Sequence, residues 1–146
     1  MPKDNVWFGI ALGGDGSMAR GTDMAVFFAD EMDSSFGDYV SVGKRMPNTD
    51  RNDDLKPHPD GAVELDEEAG TVTLFARRAL DTSDLEDFVF ELDTGFDIGI
   101  AYSTDYNYLS EYTPHRFKQQ FKNVMLKSDG TPMFVQTKSS NTKTET

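Results

Sequence analysis

The sequence predicts an all-β fold, an antiparallel β-sandwich, and two observations support that prediction. Segments rich in aromatic, aliphatic and β-branched residues recur at the length of strands, and the first two span 6–12 and 23–28. The stretches between such segments contain the glycine and acidic clusters that are typical of turns, as in 13–16 and 67–70. A succession of strands and turns along the whole chain is what a β-sandwich requires.

Further strands are predicted by the same composition, at 36–42, 62–66, 71–80 and 96–103. A closing hairpin is predicted from 121–127 and 133–136, because the Asp-Gly pair between them is a strong turn signal. The stretch 46–61 is rich in proline and aspartate, and we expect it to be a surface loop.

Length and composition limit the possible functions. The chain has 146 residues, of which 37% are hydrophobic, so we expect one domain over 1–136 and a polar, disordered tail or linker over 137–146. The net charge of −12 argues against nucleic acid and suits either solubility or a basic redox partner. The chain has no cysteine, which excludes thiolate zinc sites, iron–sulfur clusters and covalently attached haem. No apolar run reaches the roughly 18 residues of a membrane span.

Met18 lies in the glycine-rich turn between the first two strands. A methionine there either caps the end of the sandwich core or acts as a soft, neutral metal ligand. One site that uses such a ligand is the axial position of a haem iron. The residues alone leave both interpretations open.

A family resemblance bears on this choice. Residues 7–13 have the pattern W-x-G-x-A-L-G, and residues 16–28 have the pattern G-x-M-A-x-G-T-D-M-A-V-F-F. These patterns resemble the DOMON superfamily, which has an immunoglobulin-like β-sandwich, and its haem-b-binding branch, which includes the cytochrome domain of cellobiose dehydrogenase. The resemblance implies that Met18 is one axial ligand of a haem b.

The resemblance assigns the second axial ligand to a histidine near the end of the domain. His115 takes that position, after a loop that carries Tyr106, Tyr108 and Tyr112. Lys118 is an alternative, since a related haem branch pairs methionine with lysine, but a neutral lysine is costly unless its pocket is apolar. Methionine and histidine together leave the iron no open site, which favours electron transfer. The turn after His115 lacks the glycine that is common in the family.

The resemblance also implies the residues of the cofactor pocket. Its walls are predicted to include Trp7, Phe27, Phe75 and Tyr102. Either Arg77 or Arg78 is a candidate to face a haem propionate, since guanidinium pairs well with carboxylate. An exposed arginine that pairs with Asp81 or Asp84 is an equally good interpretation.

Only six residues precede Trp7, whereas the resemblance implies one or two earlier strands. We therefore expect a sandwich that lacks those strands, with an edge that is open or completed by a neighbour. We also expect a leader that is absent from this numbering, and hence an extracellular or otherwise extracytoplasmic protein.

Other functions have weaker support. Asp50, Asn52 and Asp54 alternate as in an EF-hand loop, but Leu55 stands where glycine is required, so calcium is disfavoured there. No catalytic constellation is recognisable, and an enzyme acting alone is not expected. Two hypotheses remain. One is a haem b module that transfers single electrons to a redox partner, and the other is a haem-free DOMON module that binds a carbohydrate or a partner protein through aromatic residues in 104–114.

Overall fold

The computed structural model describes most of the chain, namely residues 6–14, 19, 21–29, 34–43, 48–61, 63–103 and 117–134. Its main sheet contains six antiparallel strands: β1 Val6–Leu12, β2 Asp23–Ala29, β3 Ser34–Val40, β4 Asn48–Thr49, β9 Phe96–Ser103 and β10 Phe117–Val124. Their order across the sheet is β10-β9-β1-β2-β3-β4. The first two predicted strands therefore lie at its centre.

Two antiparallel ribbons accompany the main sheet. One pairs β5 (Lys56–Pro57) with β8 (Ala76–Arg77), and the other pairs β6 (Val63–Asp66) with β7 (Thr71–Leu74). The second ribbon contacts the main sheet where β7 meets β3, and its Val72 is buried. The described residues contain no helix, and the prediction of an all-β, antiparallel β-sandwich is confirmed.

The alternation of side chains along β1 gives the main sheet two different faces. Trp7, Gly9 and Ala11 are buried on one face, and the register with β2 places Val26 and Met24 beside Gly9 and Ala11. We call this the core face, because Ala11, Met24 and Val26 form the central hydrophobic cluster. The opposite face carries the alternate residues Phe8, Ile10 and Leu12, all half-buried.

Several predicted elements differ from the observed ones. β3 occupies 34–40 instead of 36–42, because its register pairs Ser34 with the last residue of β2. The predicted strand 71–80 ends at Arg77 and is interrupted at Phe75. In the predicted closing hairpin, Gly130 adopts φ +82° in the expected turn, but residues 131–134 form no strand.

A membrane-spanning helix was not expected, and none of the described residues belongs to a helix long and apolar enough to cross a bilayer.

Candidate functional site

The centre of the core face is lined by unusually small residues. Gly9 of β1 pairs with Ala101 of β9, and Ala11 pairs with Gly99. The indole of Trp7 lies beside Gly9, where a β-carbon at that glycine would be 3.5 Å from the ring. Small side chains let other groups approach the backbone closely at this strip.

Two segments that carry predicted metal ligands connect to strands β1 and β9. The segment that carries Met18 joins Leu12 to Asp23, while the segment that carries His115 joins Ser103 to Phe117. Because Trp7 pairs with Ser103 and Leu12 pairs with Ile98, the two segments leave the sheet at opposite ends of these strands. Met18 and His115 themselves lie outside the described residues, and so does the tyrosine-rich loop.

The opposite face carries a row of aromatic residues across four strands. Tyr102, Phe8, Phe27 and Phe36 are paired in succession, and all four are half-buried. The ring centroids are 6.3 Å apart for Phe8 and Phe27 and 5.8 Å apart for Phe27 and Phe36. These tilted contacts stabilise the row. We call these four residues the aromatic row.

The structure brings only some of the predicted wall residues together. Phe27 and Tyr102 both belong to the aromatic row, whereas Trp7 lies on the core face, on the other side of the sheet. Phe75 and Arg77 lie apart from the main sheet, in the region of β8, and both are exposed. Lys118 is exposed on the edge strand β10, opposite Ala101. The part that each residue plays in cofactor binding stays a prediction.

Arg78 adopts neither of the two predicted roles. Its side chain is 9% exposed and donates a 2.6 Å hydrogen bond from Nη1 to Asp23 Oδ2. Nη2 donates to the carbonyl of Phe88 at 2.7 Å and lies 3.5 Å from Asp87 Oδ2. The guanidinium also lies over the ring of Phe90, 5.3 Å from its centroid. Arg78 therefore ties the segment after β8 to the start of β2.

The two aspartates that pair with this arginine belong to a group of five carboxyl groups, which we call the aspartate cluster: Asp23, Asp38, Asp50, Asp84 and Asp87. Oxygens of Asp23, Asp38 and Asp87 lie within 4.8 Å of one another, and so do oxygens of Asp50, Asp84 and Asp87. Two negative charges at this separation repel by roughly 3 kcal/mol at an effective dielectric constant of about 20. Arg78 pairs with two of the five, Asp23 and Asp87, so negative charge is in excess within the cluster.

The protonation of the aspartate cluster reflects this imbalance. Burial, and then the charges of Asp23, Asp87 and Asp50, raise the pKa of Asp38 to about 7, although the N–H of Asp54 donates to its carboxylate and opposes the change. Burial also raises the pKa of Asp50, with contributions from Asp87 and Asp84. Hydrogen bonds to the carboxylate oxygens of Asp84, first from the side-chain amide of Asn52, lower the pKa of Asp84.

The sequence interpretation missed this cluster. A local signal existed for two members, since Asp23 begins a strand and Asp38 interrupts an otherwise uncharged one, and both are buried. Asp84 and Asp87 lie in one loop and Asp50 lies in another, 34 residues earlier in the chain. Only the fold brings the two loops together.

Fold and site together define an antiparallel β-sandwich module with a buried apolar face on its main sheet. The DOMON domain family model matches residues 2–103, and the chain belongs to the DOMON family. The family includes haem-binding members. The matched range contains Met18 and ends before His115. The chain matches no curated protein and no solved structure.

Proposed function

We propose that this DOMON domain binds one haem b through Met18 and His115 and transfers single electrons. The observation that carries the proposal is the arrangement of the two segments that contain these residues, which leave β1 and β9 at opposite ends. Met18 and His115 would hold the haem between them from these two segments.

The described residues fit such a cofactor. On β1 and β2 the core face is apolar, and its centre is formed by Gly9, Ala11, Gly99 and Ala101, which take up little space. Trp7 closes one end of this strip with a flat apolar ring. An apolar wall excludes water and disfavours the more highly charged state of the iron site, which raises its reduction potential.

The two ligands determine the chemistry. Met18 and His115 would hold the haem through a thioether and a neutral imidazole, and the group would supply one-electron transfer there. The chain's own residues position the cofactor and limit access to it. We infer that the domain passes electrons to or from a partner oxidoreductase, outside the cytoplasm, and does not act as an enzyme on its own. The net charge of −12 favours a partner with a basic surface.

Absorption spectra test the proposal. The wild-type chain is reconstituted with haem and recorded oxidised and then dithionite-reduced, beside Met18→Ala, His115→Ala and Lys118→Ala. We expect a low-spin spectrum with split bands on reduction in the wild type, and conversion to high spin or loss of haem in the first two variants. Met133→Ala and His58→Ala are matched controls and should leave the spectrum unchanged.

Three outcomes are distinguishable. A wild-type chain that stays colourless after reconstitution contradicts the proposal as a whole. If Lys118→Ala loses the low-spin spectrum and His115→Ala keeps it, the second haem ligand is Lys118 and not His115. Loss in all variants, including the controls, identifies a general folding defect, which circular dichroism of each variant detects independently.

A second candidate function rests on the aromatic row. A set of half-exposed rings along one sheet face complements the apolar C–H faces of sugar rings, and Tyr102, Phe8, Phe27 and Phe36 form such a set. This favours a haem-free module that binds a carbohydrate. Affinity electrophoresis in soluble polysaccharides should show retardation that Phe27→Ala removes and Phe134→Ala, an exposed residue outside the row, retains. Equal mobility of the wild type with and without polysaccharide contradicts this function.

A further inference from the structure

We propose that Asp50, Asp84 and Asp87 form a binding site for one calcium ion, which fastens the loop after β4 to the loop that precedes β9. This inference goes beyond the proposed electron transfer and does not depend on it. The three aspartates come from two loops that are separated in sequence by 34 residues, and an oxygen of each lies within 4.8 Å of an oxygen of the other two.

An independent observation points to a missing partner. Asp50 and Asp87 are only 9% and 8% exposed, yet Asp50 Oδ2 and Asp87 Oδ1 are buried without a hydrogen-bond donor among the described residues. Each carboxylate uses its other oxygen, since Asp50 Oδ1 accepts from the N–H of Asn52 and Asp87 Oδ2 accepts from the hydroxyl of Thr82. Buried carboxylate oxygens without partners are costly, and a cation bound between them removes that cost.

Arg78 determines which part of the aspartate cluster takes the cation. Asp23 and Asp38 form a second group with Asp87, but Asp23 is already paired with the guanidinium at 2.6 Å. A metal ion bound there would lie beside a fixed positive charge. Neither Asp50 nor Asp84 forms an ion pair with Arg78, and Asp87 belongs to both groups, with Oδ2 facing Arg78 and Oδ1 unpartnered.

The ligand chemistry favours calcium. All three groups are carboxylates, which suit hard cations, and neither histidine nor cysteine joins them among the described residues. Calcium accepts six to eight oxygens in variable geometry, whereas magnesium requires a near-octahedral arrangement. Asp84 is half-buried, so water can reach that side and complete the coordination. This site differs from an EF-hand, because Asn52 and Asp54 do not belong to the triad.

Isothermal titration calorimetry of the full chain, after treatment with a chelator, tests the site with calcium chloride at physiological salt. We expect one calcium per chain, with a dissociation constant between about 10⁻⁶ and 10⁻³ M, and weaker binding of magnesium chloride. Calcium should also raise the melting temperature of the wild type, since it binds only the folded chain.

Two variants with matched controls decide the result. Asp50→Asn and Asp84→Asn each remove one ligand charge and should weaken calcium binding by about tenfold or more. Asp53→Asn and Glu86→Gln remove an exposed charge from the same two loops and should change binding by less than about twofold. Asp84→Asn alters a half-buried side chain, so it tests the site even if Asp50→Asn unfolds.

The proposal is overturned by either of two results. One is the absence of a saturable calcium signal in the folded wild type. The other is binding of several weak ions per chain that falls equally in all four variants, which identifies a diffuse effect of the net charge of −12.

Discussion

The core face of the main sheet and one end of its opposite face are stabilised by different means. On the core face, Ala11, Met24 and Val26 are buried by simple alternation along neighbouring strands, and Phe28 and Tyr39 pack against them. On the opposite face, the same strands bury Asp23 and Asp38 at one end, beside Arg78. Apolar burial stabilises in proportion to area, whereas buried charges stabilise only when every partner is in place. Mutations on the core face should therefore lower the stability in proportion to the area lost, whereas loss of one charged partner beside Asp23 and Asp38 should lower it sharply.

The largest effect is expected from removal of the buried guanidinium that pairs with Asp23 and Asp87. Arg78→Met leaves Asp23 and Asp87 buried without their guanidinium, and we expect a loss of about 3–5 kcal/mol in the free energy of unfolding. Urea denaturation monitored by circular dichroism measures it. Arg77→Met, at the exposed neighbouring position, should cost less than about 0.5 kcal/mol. Equal effects of both variants would show that Arg78 is not the essential counter-charge.

The core face should respond by a smaller, volume-dependent amount. Met24→Ala removes a buried side chain that packs near Gly9, and it should cost about 2–4 kcal/mol through lost burial and the cavity it leaves. The same urea experiment measures this change. Leu65→Ala, at an exposed position of β6, is the control and should be close to neutral. A loss as small as that of the control would place Met24 outside the core.

The free energy of unfolding should depend on pH through Asp38 on the opposite face, whereas the core-face cluster of Ala11, Met24 and Val26 contains no titratable group. The pKa of Asp38 is raised to about 7 in the folded chain from 3.8, so the folded state holds this proton more tightly than the unfolded state. The contribution of protonated Asp38 to the free energy of unfolding is fully present below pH 3.8 and is lost as the pH rises through about 7. The carboxylates of Asp23, Asp87 and Asp50 face this group, and the N–H of Asp54 donates a hydrogen bond to it.

With a chelator present, we expect the free energy of unfolding to fall by on the order of 1–2 kcal/mol between pH 5 and pH 8. Solvent partly screens the charge of Asp38 and limits the size of this change. The Asp38→Asn variant should lose this part of the pH dependence, while Met24→Ala should keep it. Urea denaturation at both pH values gives the comparison. A wild type and an Asp38→Asn variant with the same pH profile would exclude Asp38 as the titrating group.

An exposed ion pair on the same sheet provides the smallest effect. Lys122 Nζ lies 3.4 Å from Asp97 Oδ2, and the lysine side chain is 65% exposed. Solvent screens such a pair, so Lys122→Met should change the free energy of unfolding by no more than about 0.5 kcal/mol. Thermal denaturation at low and high salt measures both the change and its screening. An effect as large as that of Arg78→Met would show that burial is not what distinguishes the two ion pairs.

The sequence was sufficient for the centre of the fold. The predicted strands 6–12 and 96–103 have the observed bounds, and 23–28 is one residue short, because these strands carry dense apolar and β-branched residues. The edge strand β10 begins four residues before the predicted 121, since Lys118, Gln119 and Gln120 follow the polar composition of sheet edges. The strand predicted to reach Leu80 ends at Arg77, where the following arginine turns toward Asp23.

The candidate sites were less accessible to sequence patterns. Met18 and His115 were predicted from family resemblance and stay predictions, as does the haem that they would hold. The aspartate cluster depends on long-range contacts, such as the hydrogen bond from the N–H of Phe88 to Asp23 across 65 residues. Periodicity describes one strand at a time and carries no information on which loops meet.

Trp7 is the only tryptophan of the chain, and it is buried beside Gly9 on the core face, opposite the face that holds Asp23 and Asp38. The protein therefore contains a single indole, which can be excited selectively over its five tyrosines, next to the strip where the cofactor is proposed to bind. A haem on that strip would quench the indole emission by energy transfer, whereas calcium on the far side of the sheet would leave it nearly unchanged. One emission spectrum thus distinguishes the two ligands without any label.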